Sequence, residues 1–395
     1  MGMVSGRVTF LVSEKTPYLG MARKKRLFPM HIAIILPRWV GDLAMSTPMI
    51  RAVRQHFGKD AKLTAVVKPL FQDILAGTDW FDEFIAYDRH SKKQESSFQQ
   101  AASALRSDPP DIALLVPNSL SSAALAWWGG CRRRVGYARH GRRLLLTDPL
   151  FPVRHGWRVE VMSTAQHSMD LAEQIGVPRQ PLELELATLP KDEEIMDLLM
   201  SSFFGGWTQS NSQPLFVFND NAAYGPAKSW GGERFVSLAR QLLQSYPDGR
   251  IVVHCGPGER DDARSLESSL NDSRVRSLAD VDKLPFGLSK ALLRRASIVI
   301  TTDSGPRHIA AAFRTPTVVL HGPMDPRLGM SDHKNLIELR KELPCSPCGQ
   351  RTCPLEHHDC MVGLSVDDVA HATGELLAMV SCTGKAHPSH LENIE

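Results

Sequence analysis

Short apolar runs alternate with amphipathic stretches along most of the chain. Residues 31–36, 63–67, 84–87, 112–116 and 134–137 form a first set of runs, most of them bounded by Pro, Gly or Asp. Continuous runs of this length fit strands buried on both faces of a parallel sheet. Helical patterns over 43–57, 98–105 and 121–128 separate them, and such alternation predicts βαβ units. Pro48 is expected to kink or restart the helix it falls in. A second set occupies 215–219, 251–255, 298–302 and 317–321, with helices expected over 234–244, 260–270, 288–295 and 307–313. The stretch 178–190, rich in Pro and charge, is read as the linker between the two sets. A last helix over 366–380 is expected to pack across the domain junction. The fold class expected is α/β: two Rossmann-like, doubly wound domains, 30–185 and 186–380, facing a central cleft. In such sheets ligands bind at the carboxyl ends of the strands, and two opposed sets of loops suit a reaction between two bulky substrates.

Composition narrows the picture without changing it. At 395 residues the chain is too long for one ordinary core. Hydrophobic content of 43% and charged content of 23% are those of a globular protein. A net charge of +3 is too small for bulk nucleic-acid binding, so no nucleic-acid partner is expected. No run approaches the ~20 apolar residues of a membrane span. In residues 1–29 an apolar run precedes the basic Arg23-Lys24-Lys25-Arg26, the reverse of a signal peptide. This segment is expected to be a disordered extension outside the fold, with Met21 or Met30 as alternative starts, and residues 381–395 to be a tail. The localisation expected is cytoplasmic, with peripheral contact at the inner face of the cytoplasmic membrane.

Candidate chemistry sits in loops after strands. In Pro37-Arg38-Trp39-Val40-Gly41-Asp42, Gly41 permits close approach of backbone to ligand. Asp42 reads either as a helix cap or as a general base at the cleft floor. Lys228, on the Pro226-Ala227-Lys228-Ser229-Trp230 loop, is a candidate phosphate ligand. Thr302-Asp303-Ser304-Gly305-Pro306 opens a helix, so Ser304 and Gly305 can offer N–H groups to a diphosphate, with Asp303 facing sugar hydroxyls. Arg307 and His308 are weaker candidates for the same ligand. Gly322, Pro323 and Met324, and the turn Gly256-Pro257-Gly258-Glu259, are candidates to line the pocket. Among the basic residues 132–143, Arg134, Arg139 and Arg142 are candidates to hold an anionic acceptor, against the plainer reading of a solvated face. Trp127-Trp128 reads as core or as part of a membrane-facing lip. Cys345, Cys348, Cys353 and Cys360 have the spacing of a structural zinc site, with His357 or His358 able to replace one ligand; paired disulfides and free thiols are the alternatives.

Together these loops resemble the bacterial lipopolysaccharide heptosyltransferases, glycosyltransferase family 9, in particular the heptosyltransferase II branch. Pro37 to Asp42, Tyr224 to Trp230, Asp303-Ser304-Gly305 with His308, and His321-Gly322-Pro323 carry the resemblance, which spans residues 30–380. It implies a GT-B architecture, an ADP-heptose donor, a lipopolysaccharide inner-core acceptor and inverting transfer without a catalytic cofactor. It also implies Asp42 as the catalytic base, Lys228 as a phosphate contact, Asp303 near the heptose hydroxyls and Ser304-Gly305 as the diphosphate-binding backbone. Pro306-Arg307 departs from the family's small apolar residue at that place. Rival readings are a relative using another nucleotide sugar or acceptor, a nucleotide-sugar epimerase, and a non-catalytic binding protein.

Overall fold

A computed structural model describes residues 30–206, 213–220 and 224–382; the expected N-terminal extension and residues 383–395 of the tail lie outside the described residues. The first sheet is built from β1 (His31–Ile35), β2 (Lys62–Val67), β3 (Glu83–Ala86), β4 (Ile112–Leu115), β5 (Arg133–Tyr137) and β6 (Asp148–Leu150). A small hairpin, β7 (Arg154–His155) and β8 (Arg158–Val159), follows it. The second sheet contains β9 (Leu215–Asn219), β10 (Arg250–Val253), β11 (Val275–Ser277), β12 (Ile298–Thr302), β13 (Thr317–His321) and β14 (Leu336–Arg340). Strand orders are β3-β2-β1-β4-β5-β6 and β11-β10-β9-β12-β13-β14, parallel throughout. Each order reverses once, between β1 and β4 and between β9 and β12, which is where a doubly wound sheet opens its ligand crevice.

The central strands β1, β9, β12 and β13 are buried along their whole length, as their unbroken apolar runs predict. Three edge strands, β6, β11 and β14, escape that pattern because polar residues interrupt them. Among the described residues, two helices of ten residues or more also lie outside the expected set. Thr164–Glu173 opens on a capping box formed by Ser163 and Gln166. Pro190–Phe204 begins where the linker was expected to end, and Glu193 ties it to Arg294 and Arg295. Pro48 falls in the first turn of Thr47–Phe57, just after Val40–Met45 ends, so the helix restarts there; proline lacks only an N–H that is unpaired at that place anyway.

Residues 178–189 carry no helix or strand and bond to both halves, through Arg51–Glu185 at 2.6 Å and Leu182 N–H to Asp332 at 2.6 Å. The last helix, Val366–Cys382, packs on Gly232–Ser245 and on β12 to β14, so it braces the second sheet instead of bridging the domains. The domains meet where Lys290, fully buried on helix Phe286–Arg295, donates to the Ile74 and Ala76 carbonyls at 3.1 and 2.7 Å. They meet again where helix Val40–Met45 lies against helix Gly305–Ala312.

Candidate active site

β1 ends at Ile35, and Leu36-Pro37-Arg38-Trp39 carries the chain into helix Val40–Met45, whose first turn holds Asp42. The N-cap position belongs to Trp39 and no side chain caps that helix, so Asp42 is not a cap. Its carboxylate turns sideways and accepts a hydrogen bond from the Thr164 hydroxyl at 3.0 Å. Burial pushes this carboxyl above the ordinary aspartate value, against the opposing pull of Thr164 and the Lys228 ammonium. Thr164 was not anticipated from sequence, although the Ser163–Gln166 capping signature could have located the start of its helix.

Across the cleft β12 delivers Asp303, and Lys228 reaches it from the turn after β9. The Lys228 ammonium donates to the Asp303 carbonyl at 2.6 Å and to its carboxylate at 2.9 Å, and stands 5.1 Å from the Tyr224 ring centroid. Two of its three protons are thus engaged, leaving one for a ligand. Arg307 does not reach toward a phosphate as the sequence suggested. It is 4% exposed, and its guanidinium donates to Asp303 at 2.7 Å, His321 at 3.0 Å, the Gly329 carbonyl at 3.0 Å and Glu338 at 3.2 Å. Burial alone would raise the Asp303 carboxyl, but Arg307 and Lys228 hold it well below the usual carboxylate range.

Helix Gly305–Ala312 starts with Pro306 in its first turn, a favourable place for proline. Ser304 does not cap it; the Ser304 hydroxyl accepts from Asn219 at 3.0 Å, so the first-turn N–H groups have no side-chain cap. Asn219 belongs to a buried network that sequence reasoning missed. It donates to Thr301 at 2.9 Å and pairs with His254 at 3.1 Å, and His254 pairs with Ser289 at 2.9 Å. Burial lowers His254 to about 4, so it stays neutral under this loop. The sequence signal was slight: one Asn ending an otherwise apolar strand.

Two cavities share the cleft. The larger, about 1610 Å³, is lined by Asp42, Lys228, Asp303, Ser304, Gly305 and His308, and extends to Met324 and the 256–259 turn. The smaller, about 540 Å³, lies in the first domain and is lined by Arg38, Lys68, Arg89, Asn118, Arg139 and His167. Asp42, Trp39 and Thr164 line both. His308 is buried and neutral, its pKa held well below that of free histidine by burial, and its ring lies against Gly41.

Several expected ligand contacts have other duties. Gly322 and Pro323 hold the following loop, through Ser346 to the Gly322 carbonyl at 3.1 Å and Gly349 N–H to the Pro323 carbonyl at 2.8 Å. Arg142 is fully buried and donates to the Pro117, Ser119 and Tyr137 carbonyls and to Asn118, so it braces the wall of the smaller cavity. Arg134 donates to the Leu145 and Cys131 carbonyls, each at 2.7 Å. Of the three arginines only Arg139 lines the cavity. The expected zinc set is not assembled: among the described residues no three His, Cys, Asp or Glu side chains converge as metal ligands, and the thiols of Cys345, Cys348, Cys353 and Cys360 are free. Cys345 Sγ and His357 Nε2 approach to 4.0 Å, but among the described residues no third such side chain joins them.

The model of glycosyltransferase family 9 (heptosyltransferase) matches residues 99–358. The chain belongs to glycosyltransferase family 9. This family 9 glycosyltransferase is 28% identical to lipopolysaccharide heptosyltransferase 2 of Salmonella typhimurium over 304 residues, covering 75% of this chain and 84% of the relative. It is 23% identical over 352 residues to lipooligosaccharide heptosyltransferase 2 of Campylobacter jejuni, covering 88% and 98%. Its fold is similar to that of the E. coli ADP-heptose lipopolysaccharide heptosyltransferase II structure, with a TM-score of 0.72 at 22% identity over 89% of this chain and all of that one. The fold class expected from the sequence, two parallel-sheet α/β domains, agrees with this likeness.

Proposed function

We propose that this glycosyltransferase moves L-glycero-D-manno-heptose from ADP-heptose to a saccharide of the lipopolysaccharide inner core, with Asp42 as general base and inversion at the anomeric carbon. One observation carries this reading: among the described residues Asp42 is the one ionisable group that lines both cavities, so one carboxylate faces a donor and an acceptor at once. The names of the relatives supply the sugar and the acceptor class.

In this reading ADP-heptose fills the larger cavity and the acceptor the smaller. An acceptor hydroxyl gives its proton to the Asp42 carboxylate while its oxygen bonds the anomeric carbon. The bond from that carbon to the diphosphate oxygen breaks on the opposite face, and ADP leaves. Charge grows on the diphosphate, where the remaining Lys228 proton and the uncapped first turn of Gly305–Ala312 stabilise it. Asp303, held ionised by Arg307 and Lys228, accepts hydrogen bonds from sugar hydroxyls. Arg38, Lys68, Arg89 and Arg139 give the smaller cavity a positive wall suited to an anionic acceptor. The protein works at the cytoplasmic face of the membrane that carries this acceptor; among the described residues no helix is long and apolar enough to cross one.

The test is ADP release from ADP-heptose with and without inner-core acceptor. Acceptor-dependent release that is lost in Asp42→Asn supports the reading. Donor consumption at an unchanged rate in Asp42→Asn would sink the base assignment.

A further inference from the structure

Beyond the cleft, the first domain exposes a group of large apolar side chains that its own fold leaves uncovered. Leu144, on the short 142–145 turn, is 93% exposed; Phe151 is 61% exposed and Trp157, at the tip of the β7–β8 hairpin, 81%. They belong to one stretch of chain: the Arg143 guanidinium lies over the Phe151 ring at 5.5 Å, joining the 142–145 turn to Phe151, and that of Arg158 lies over the neighbouring Trp157 at 4.9 Å. Arg143, Arg154 and Arg158 are exposed, and among the described residues none forms an ion pair. The nearby Glu160 faces His155 at 3.6 Å. The patch is therefore apolar at its tips and cationic around them.

Its position gives it meaning. Pro152, Val153 and Val159, within the same stretch, line the smaller cavity, so the patch stands at the mouth of the proposed acceptor site. Exposed tryptophan and leucine beside unpaired arginines match the boundary between lipid headgroups and acyl chains. There rings and aliphatic tips enter the apolar layer while guanidinium groups meet phosphates. A protein partner would have to supply several carboxylates and an apolar pocket together; an anionic bilayer offers both features everywhere.

We propose that Leu144, Phe151 and Trp157, with Arg143, Arg154 and Arg158, form a docking surface for an anionic lipid bilayer. Docking there turns the mouth of the smaller cavity toward the bilayer and presents it to a lipid-anchored saccharide. The inference rests on the reading that the acceptor is membrane-held, and it adds the face by which the enzyme meets that membrane.

The full chain would be sedimented with vesicles of phosphatidylethanolamine and phosphatidylglycerol, and with vesicles of phosphatidylcholine alone. Binding to the anionic vesicles, weakened at high salt and at least tenfold weaker in Leu144→Ser/Trp157→Ser and in Arg143→Glu/Arg158→Glu, is the expected result. Both variants should match wild type on a delipidated, water-soluble acceptor, since neither pair lines a cavity, and this also reports correct folding. Variants that bind anionic vesicles as well as wild type overturn the proposal. So does a wild-type dimer in sedimentation velocity that Leu144→Ser/Trp157→Ser converts to monomer while vesicle binding is unchanged, since the face then joins two copies. A wild-type protein that binds anionic vesicles through this patch but releases no ADP with either acceptor leaves the docking surface standing and removes the transfer reading.

Discussion

Gly41→Ala isolates the contact on which the catalytic geometry depends. A Cβ at position 41 would stand 2.7 Å from Cδ2 of His308 on the opposite domain. Carbon atoms pack at about 3.5–4.0 Å, so the surfaces must part by roughly 1 Å. Little else can yield. His308 is buried, and one turn away a Cβ at Gly305 would already be 3.0 Å from Val40 Cβ, so the two helices have no slack. Because Asp42 follows Gly41 directly, the added methyl moves the base away from the donor half. A misplacement of about 1 Å at a reacting centre costs on the order of 100-fold, or about 2.7 kcal/mol of transition-state stabilisation. The assay is kcat/KM from ADP release with ADP-heptose and an inner-core acceptor, with thermal unfolding measured alongside. The rate should fall roughly 100-fold while the melting temperature moves little, since the domains part without repacking either core. In a His308→Ala background the same substitution should cost far less, because the clashing ring is gone. Gly41→Ala within twofold of wild type, or an equal loss in both backgrounds, would refute the argument.

Other substitutions separate positioning from chemistry. Arg307→Met strips a buried counterion from Asp303 and Glu338 and should destabilise the fold by about 3–5 kcal/mol in denaturant unfolding, with a raised KM for the donor. Activity should fail on the acid side at a pH above that of a free aspartate, because Asp42 accepts a proton only when ionised and its carboxyl is raised. Thr164→Val removes a hydrogen bond that favours the ionised form, so the acid limb of the kcat/KM profile should move to still higher pH; an unchanged or lowered limb would contradict the Asp42 assignment. Arg142→Met leaves several buried carbonyls without a donor and should cost about 3 kcal/mol of stability. Because Asn118 and Ser119 line the smaller cavity, it should also raise KM for the acceptor and leave that for the donor unchanged.

Reading the chain from sequence located the loops better than it located the roles of their charges. β1, β9, β12 and β13 were legible because a doubly covered strand is apolar along most of its length, and Asp42, Lys228 and Asp303 were legible because they follow such strands. Residue type says nothing of desolvation, however, and desolvation decided the remainder. Arg139 and Arg142 stand three residues apart in one basic stretch, yet the first lines a cavity and the second is sealed among carbonyls by chain from residues 117–122. Arg307 became a strut because β13 and β14 bring His321 and Glu338 against it, and β14 was itself unreadable. The same long-range packing separates the two carboxylates of the cleft. Burial pushes both upward, but Asp303 has Arg307 and Lys228 in direct contact and is held ionised, whereas Asp42 accepts a hydrogen bond from the neutral Thr164 hydroxyl and its carboxyl stays raised. A carboxylate clamped by two cations is a poor proton acceptor and a steady hydrogen-bond acceptor; one that is desolvated without a clamp holds a proton more readily. The fold thus fits Asp303 to hold and Asp42 to take a proton, a division that two aspartates in a sequence cannot display.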